Sequence, residues 1–226
     1  GYVYSSKYVD DDEAEREFRD HLGLLDSDVE ARRLKFKVGR VREHWAKNCL
    51  AVGLSQGFIE PLEATALDMV QETVVRFIEA ANKGDLSDKF RDEFNQRISR
   101  RFDGVRDYIV CHYRINTRTD TDYWRDAGTN EKISSSLREL LTAWLKGDNI
   151  TDECERQNLD AYFPPVSWNC LLAGKGIYPT QEQLRPGNEQ AKSYDLDKIE
   201  HYLKGCALNF KPHREQLDAL RKSAAA

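Results

Sequence analysis

The chain changes its hydrophobic rhythm near residue 58. Before that point apolar positions come in short alternating runs. "GYVYSS" alternates aromatic and β-branched residues and predicts a short strand. "DDDEAEREFRDHLG" carries acids in its first turn and a glycine at its end, the pattern of a helix. "RLKFKVGR" sets Leu34, Phe36 and Val38 between basic residues and predicts a half-buried strand that stops at Gly39. "NCLAVGLS" is a short apolar run, suited either to a buried strand or to the floor of a site.

From Pro61 onward the period becomes helical. Leu62, Leu67, Val70, Val74, Phe77 or Ile78, and Ala81 recur three to five residues apart, which predicts a long helix with one buried face, capped by Gly84. Phe90, Phe94, Ile98, Phe102, Val105 and Ile109 mark the next helix. "SSSLRELLTAWLKG" places serine caps before Leu137, Leu140, Leu141 and Trp144. "DECERQNL" is a shorter helix, "YFPPVSWNCLLAGKGIYP" runs from a proline break to a glycine-rich turn, and residues 195–226 form one or two closing helices. The fold expected is mainly α, with a few short β-strands near the N-terminus. Residues 1–226 read as a single unit, with strands in 1–57 and mostly helix in 58–226.

Composition narrows the function. Of 226 residues, 40% are hydrophobic and 32% charged, the balance of a globular protein rather than a disordered one. A net charge of −5 gives no general attraction to nucleic acid or anionic lipid. Arg97, Arg100, Arg101, Arg106, Arg114 and Arg118 do interleave with Phe102, Tyr108 and Tyr113, yet Asp103, Asp107 and Asp120 dilute them, and a solvated helix face is the expectation. No apolar run reaches membrane-spanning length. The five cysteines are widely spaced without a CxxC pair, which argues for buried thiols in a reducing, cytoplasmic setting rather than for disulfides or zinc. The histidines lack metal-site spacing, and His112 sits among polar and aromatic residues that either line a pocket or simply satisfy it. "AGKG" has neither the spacing nor the ending of a phosphate loop, and no GxSxG occurs.

One stretch resists a purely structural reading. "FIEPLEATALDMV", residues 58–70, sets Glu60 and Glu63 around a proline in an otherwise apolar neighbourhood. With Pro61 as the first helical residue, Glu63 falls in the first turn and complements the helix dipole, a contribution of about 0.3–1 kcal/mol. However, the surroundings are too apolar for a routine surface helix start, a buried carboxylate is costly unless paired, and glutamate is not a preferred cap. Glu60 and Glu63 therefore stand as candidate functional carboxylates beside the plain reading that they complement the helix dipole.

Several phrases resemble, in the same order, the flavin-dependent tryptophan halogenases: "GYVYSS", then "W..NC.A.GLS.GF.EPLE.T", then "HYR...R.DT.YW", then "SW...LAGKG.YP". They cover most of residues 1–178. The family's GxGxxG loop, active-site lysine and WxWxIP segment are not in this sequence. The resemblance therefore implies the C-terminal, substrate-side portion of a halogenase with a flavin-monooxygenase-like α+β fold, and a chain that starts inside a longer protein.

In that family, reduced FAD from a flavin reductase and O2 oxidise chloride or bromide, and a lysine delivers the halogen to an electron-rich aromatic ring. By resemblance Glu63 is the catalytic glutamate. Thr65 and Ala66 match the halide-binding pair, with alanine where glycine is common. Leu54 and Leu67 match flavin-contacting positions, and Ala64 replaces a frequent serine. The implied partners are an aromatic small molecule, a flavin reductase and the N-terminal FAD-binding half, with a homodimer possible. Trp124, Tyr162, Phe163 and Trp168 are available to stack on a substrate or to pack a core. A flavin monooxygenase and a non-catalytic helical binding module derived from a halogenase half are the alternatives.

Overall fold

The structure, a computed structural model, describes residues 1–60, 62–159, 162–184 and 193–224. It divides into two compact units, Gly1–Leu184 and Arg185–Ala226.

In the first unit, helix α1 (Asp11–Leu22) starts where the Asp10 side chain accepts the Asp12 and Glu13 amides, and stops at Gly23, whose φ of +67° a side chain would resist. Ahead of it "GYVYSS" is not a strand. Tyr2 stacks on Tyr4 and Phe18, and the two phenols donate to Glu17 and Asp11. A strand needs a ladder partner, and none pairs with it among the described residues. The second expected strand is likewise replaced. Leu34, Phe36 and Val38 lie outside any ladder with their side chains exposed. Only β1 (Gly39–Arg40) pairs, antiparallel, with β4 (Gly57–Phe58). Gly57 is required there, because a Cβ would lie 2.6 Å from the Gly39 carbonyl oxygen.

The apolar run resolves into a hairpin, β2 (Trp45–Ala46) with β3 (Cys49–Leu50), followed by a 3-10 turn at Gly53–Ser55. Asn95 clamps this hairpin. Its side chain accepts the His44 and Trp45 amides at 2.9 and 2.8 Å and donates to the Trp45 carbonyl at 2.9 Å.

Helix α2 (Thr65–Lys83) begins four residues later than the proline predicted, and Pro61 itself lies outside the described residues. Gly84 caps it, as expected. The buried face is a correction. Thr65, Met69, Thr73 and Ala81 face inward, while Leu67, Val74 and Ile78 form an exposed apolar stripe on the other side. Thr73 turns inward because it accepts a hydrogen bond from buried Gln56 at 2.8 Å.

Helix α3 (Arg91–Arg114) is the axis of the unit. Phe94, Ile98, Phe102, Val105 and Ile109 pack with Trp45 and Met69 on one side. Tyr108, Cys111 and Ile115 pack on the other with α5 (Ser135–Leu145), α6 (Ile150–Gln157) and α7 (Pro165–Gly174). Its Arg97, Arg101 and Arg106 meet Glu72, Asp68 and Asp107. Ser134 caps α5 and also donates to buried Asp107 at 2.6 Å. Helix α4 (Asp122–Thr129) carries Trp124, which stacks on Tyr113 under the Arg118 guanidinium. Trp168 is core, and Tyr162 and Phe163 pack against it.

The cysteines divide, contrary to the expectation that all are buried. Cys111 and Cys154 are buried, whereas Cys49 and Cys170 are exposed. In the second unit, α8 (Leu196–Ala207) and α9 (His213–Ala224) are amphipathic helices.

Candidate functional site

Just before α2 the backbone takes an uncommon path. Glu63 and Ala64 sit consecutively in the left-handed region, at φ +62° and +52°. Non-glycine residues pay for that conformation, and such strain concentrates at functional sites. Glu63 therefore stands ahead of the helix instead of in its first turn, and its side chain crosses to α3. There its Oε1 lies 3.2 Å from His112 Nε2. The carboxylate is 46% exposed and the imidazole 15%.

The pair opens onto a groove of about 510 Å³, walled by Tyr108 of α3 and by Val166, Ser167, Cys170 and Leu171 of α7, with Lys175 at its end. The groove is open, not the sheltered hollow that a buried carboxylate would imply. Burial and the Glu63 charge push the Tyr108 phenol up to about 12, and its hydroxyl donates to the Ser167 carbonyl at 3.2 Å. Tyr108 is thus a neutral wall.

Glu60 has a different neighbourhood. It accepts a hydrogen bond from the Tyr113 phenol, whose pKa burial and this contact raise far above the ordinary tyrosine range. Glu60 thereby ties the loop to α3 and the Tyr113–Tyr123–Trp124 ring cluster.

Beside Glu63, no side chain caps the first turn of α2. Thr65 is buried and Ala66 exposed. An uncapped helix start presents amides that suit an anion. Leu54, on the Gly53–Ser55 turn that packs against α2, and Leu67 are 83% and 79% exposed. The chain thus brings a carboxylate, an imidazole, an open helix N-terminus and two bare leucines into one neighbourhood. Sequence reasoning singled out all of these except the link from Glu63 to His112. That link spans 49 residues, and no local signal carries it.

The family model described as "Tryptophan halogenase" matches residues 1–189. The 7-chloro-L-tryptophan 6-halogenase KtzR of Kutzneria sp. (strain 744) is 35% identical over 183 residues, covering 80% of this chain and 34% of that protein. Among solved structures, BrvH, a flavin-dependent halogenase from Brevundimonas sp. BAL3, is 30% identical with a TM-score of 0.71, over 96% of this chain and 43% of that one. A tryptophan halogenase from Shewanella frigidimarina is 26% identical with a TM-score of 0.77, over 96% and 42%. The chain spans about a third of the length of the curated relatives it matches.

Proposed function

The chain belongs to the tryptophan halogenase family, and from that premise we propose that it forms the substrate-side, C-terminal portion of a flavin-dependent halogenase. The substrate is an electron-rich ring: tryptophan, another indole or a phenol. The observation that carries the reading is Glu63, held in a left-handed turn beside an uncapped helix start and facing an open groove.

The residues fit the groups such chemistry needs. The uncapped amides at Thr65 and Ala66 suit chloride or bromide, and exposed Leu54 and Leu67 suit the apolar edge of a flavin ring. When bound, reduced FAD with O2 supplies the oxidised halogen. Glu63 then accepts the proton that the ring loses as aromaticity returns, a role for a carboxylate within hydrogen-bond reach. Glu60 holds the loop that carries it. Leu67, Val74 and Ile78 offer an apolar stripe against which the flavin-binding part of the protein packs. A flavin reductase is the partner that renews FADH2.

The family's delivery lysine and GxGxxG loop are not in these 226 residues, so the chain by itself yields no halogenated indole. The polypeptide that also carries the flavin-binding part, given tryptophan, FADH2, O2 and bromide, yields bromotryptophan by mass spectrometry. A hydroxylated product formed equally well without halide would identify a monooxygenase instead.

A further inference from the structure

The Glu63–His112 contact fixes how many protons the pair holds. His112 Nδ1 lies 2.9 Å from the Tyr108 carbonyl oxygen, four residues back on α3. A carbonyl carries no proton, so Nδ1 is the donor. In a neutral imidazole that leaves Nε2 bare. Yet Nε2 faces Glu63 Oε1 at 3.2 Å, and an ionised carboxylate only accepts. Two lone pairs do not make that contact, so one further proton lies between the two groups. A ring N–H facing a carboxylate oxygen makes the charge-assisted hydrogen bond that this geometry describes, which puts that proton on Nε2. Tyr108 cannot supply it, since its hydroxyl is committed to Ser167.

We propose that Glu63 and His112 form a one-proton dyad in which His112 is a positioning residue, holding Oε1 as an imidazolium and leaving Oε2 to meet the reacting ring. Among the described residues Oε2 has no hydrogen-bond partner. As the ring C–H bond breaks, its electron pair returns to the ring and the proton passes to Oε2, then to solvent through the open groove. The other titratable groups on the groove are Tyr108 from α3, and Cys170 and Lys175 at α7. The catalytic use of the dyad rests on the halogenase reading. Its proton count does not.

In the longer polypeptide, His112→Gln keeps an N–H donor opposite Glu63 Oε1. His112→Phe lowers kcat by about tenfold to a hundredfold, the loss expected when a hydrogen bond to a charged group is removed, and His112→Gln restores part of that loss.

The direct test is 15N NMR of this chain labelled at histidine, with His112 assigned from the His112→Gln spectrum. At neutral pH both nitrogens carry protons in the wild-type chain. Glu63→Gln places an amide donor opposite Nε2 and converts it to the bare form. Three results would overturn the dyad: Nε2–H with a bare Nδ1, a spectrum unmoved by Glu63→Gln, or a free-histidine signal, which means that the chain does not hold the pair. No substrate, flavin or halide is present, so the dyad can fail while halogenation stands, and the reverse.

Discussion

Helices α3 and α2 are both long and amphipathic, yet they end differently. On α3 the predicted apolar positions are almost all buried, and Ile98 has no exposure at all. On α2 only Ala81 of the predicted stripe is buried, Leu62, Val70 and Phe77 are half-buried, and Leu67, Val74 and Ile78 face out. The difference is one of partners. Helix α3 is surrounded by elements of its unit, whereas α2 shows a second apolar face, Leu67, Val74 and Ile78, that is exposed among the described residues of that unit. Leu34 and Val38 are likewise exposed, while Phe36 leaves half its surface open and rests its ring on Phe58. The α3 region serves stability within its unit, and the outer side of α2 is the face that the proposed function assigns to the flavin-binding part.

Substitutions should separate the two regions. The largest effect belongs to the core: Leu140→Ala, at a fully buried position between α3, α6 and α7, costs about 2–5 kcal/mol, read as a lowered midpoint in urea. Gly104→Ala drives a Cβ to within 2.3 Å of the Tyr162 ring and costs about 1–3 kcal/mol by overpacking, in the same assay.

His44 gives the core a pH dependence. Burial, with Arg40 nearby, lowers its pKa to about 4 from an ordinary 6.5. The unfolded chain therefore binds the proton first as pH falls, so this contribution is complete above about 6.5 and declines toward 4. The slope reaches at most about 1.4 kcal/mol per pH unit, and His44→Phe flattens it in stability measured across that window.

On the open side the expected signs change. Leu67→Ala alters the stability of this chain by less than about 0.5 kcal/mol, but weakens FAD binding in the longer polypeptide, followed by flavin fluorescence. The smallest perturbation is chemical. Cys49 and Cys170 react with a maleimide in the folded chain, while Cys111, whose thiol burial pushes up to about 12, stays unlabelled with Cys154. Equal labelling of all four would erase the contrast.

The same logic explains what was legible in the sequence. A helix satisfies its own backbone, so period and caps located α1, α3 and α5 to within a few residues. A strand depends on a distant partner, which is why alternation predicted a ladder in "GYVYSS" that does not form, and one in "RLKFKVGR" of which only Gly39–Arg40 pairs. Proline chemistry pointed to a helix start at residue 61, but the left-handed pair at Glu63 and Ala64 delays it to Thr65. Composition and residue types marked Glu63 as unusual. Resemblance gave it a role, and only the three-dimensional arrangement supplied His112.

The account turns on Glu63 as the base in aromatic halogenation. Its most direct test is turnover of tryptophan with FADH2, O2 and bromide by the longer polypeptide carrying Glu63→Gln. A fall in kcat of about a hundredfold to ten-thousandfold is predicted, the range for loss of a general base. Bromotryptophan formed at the wild-type rate would contradict it.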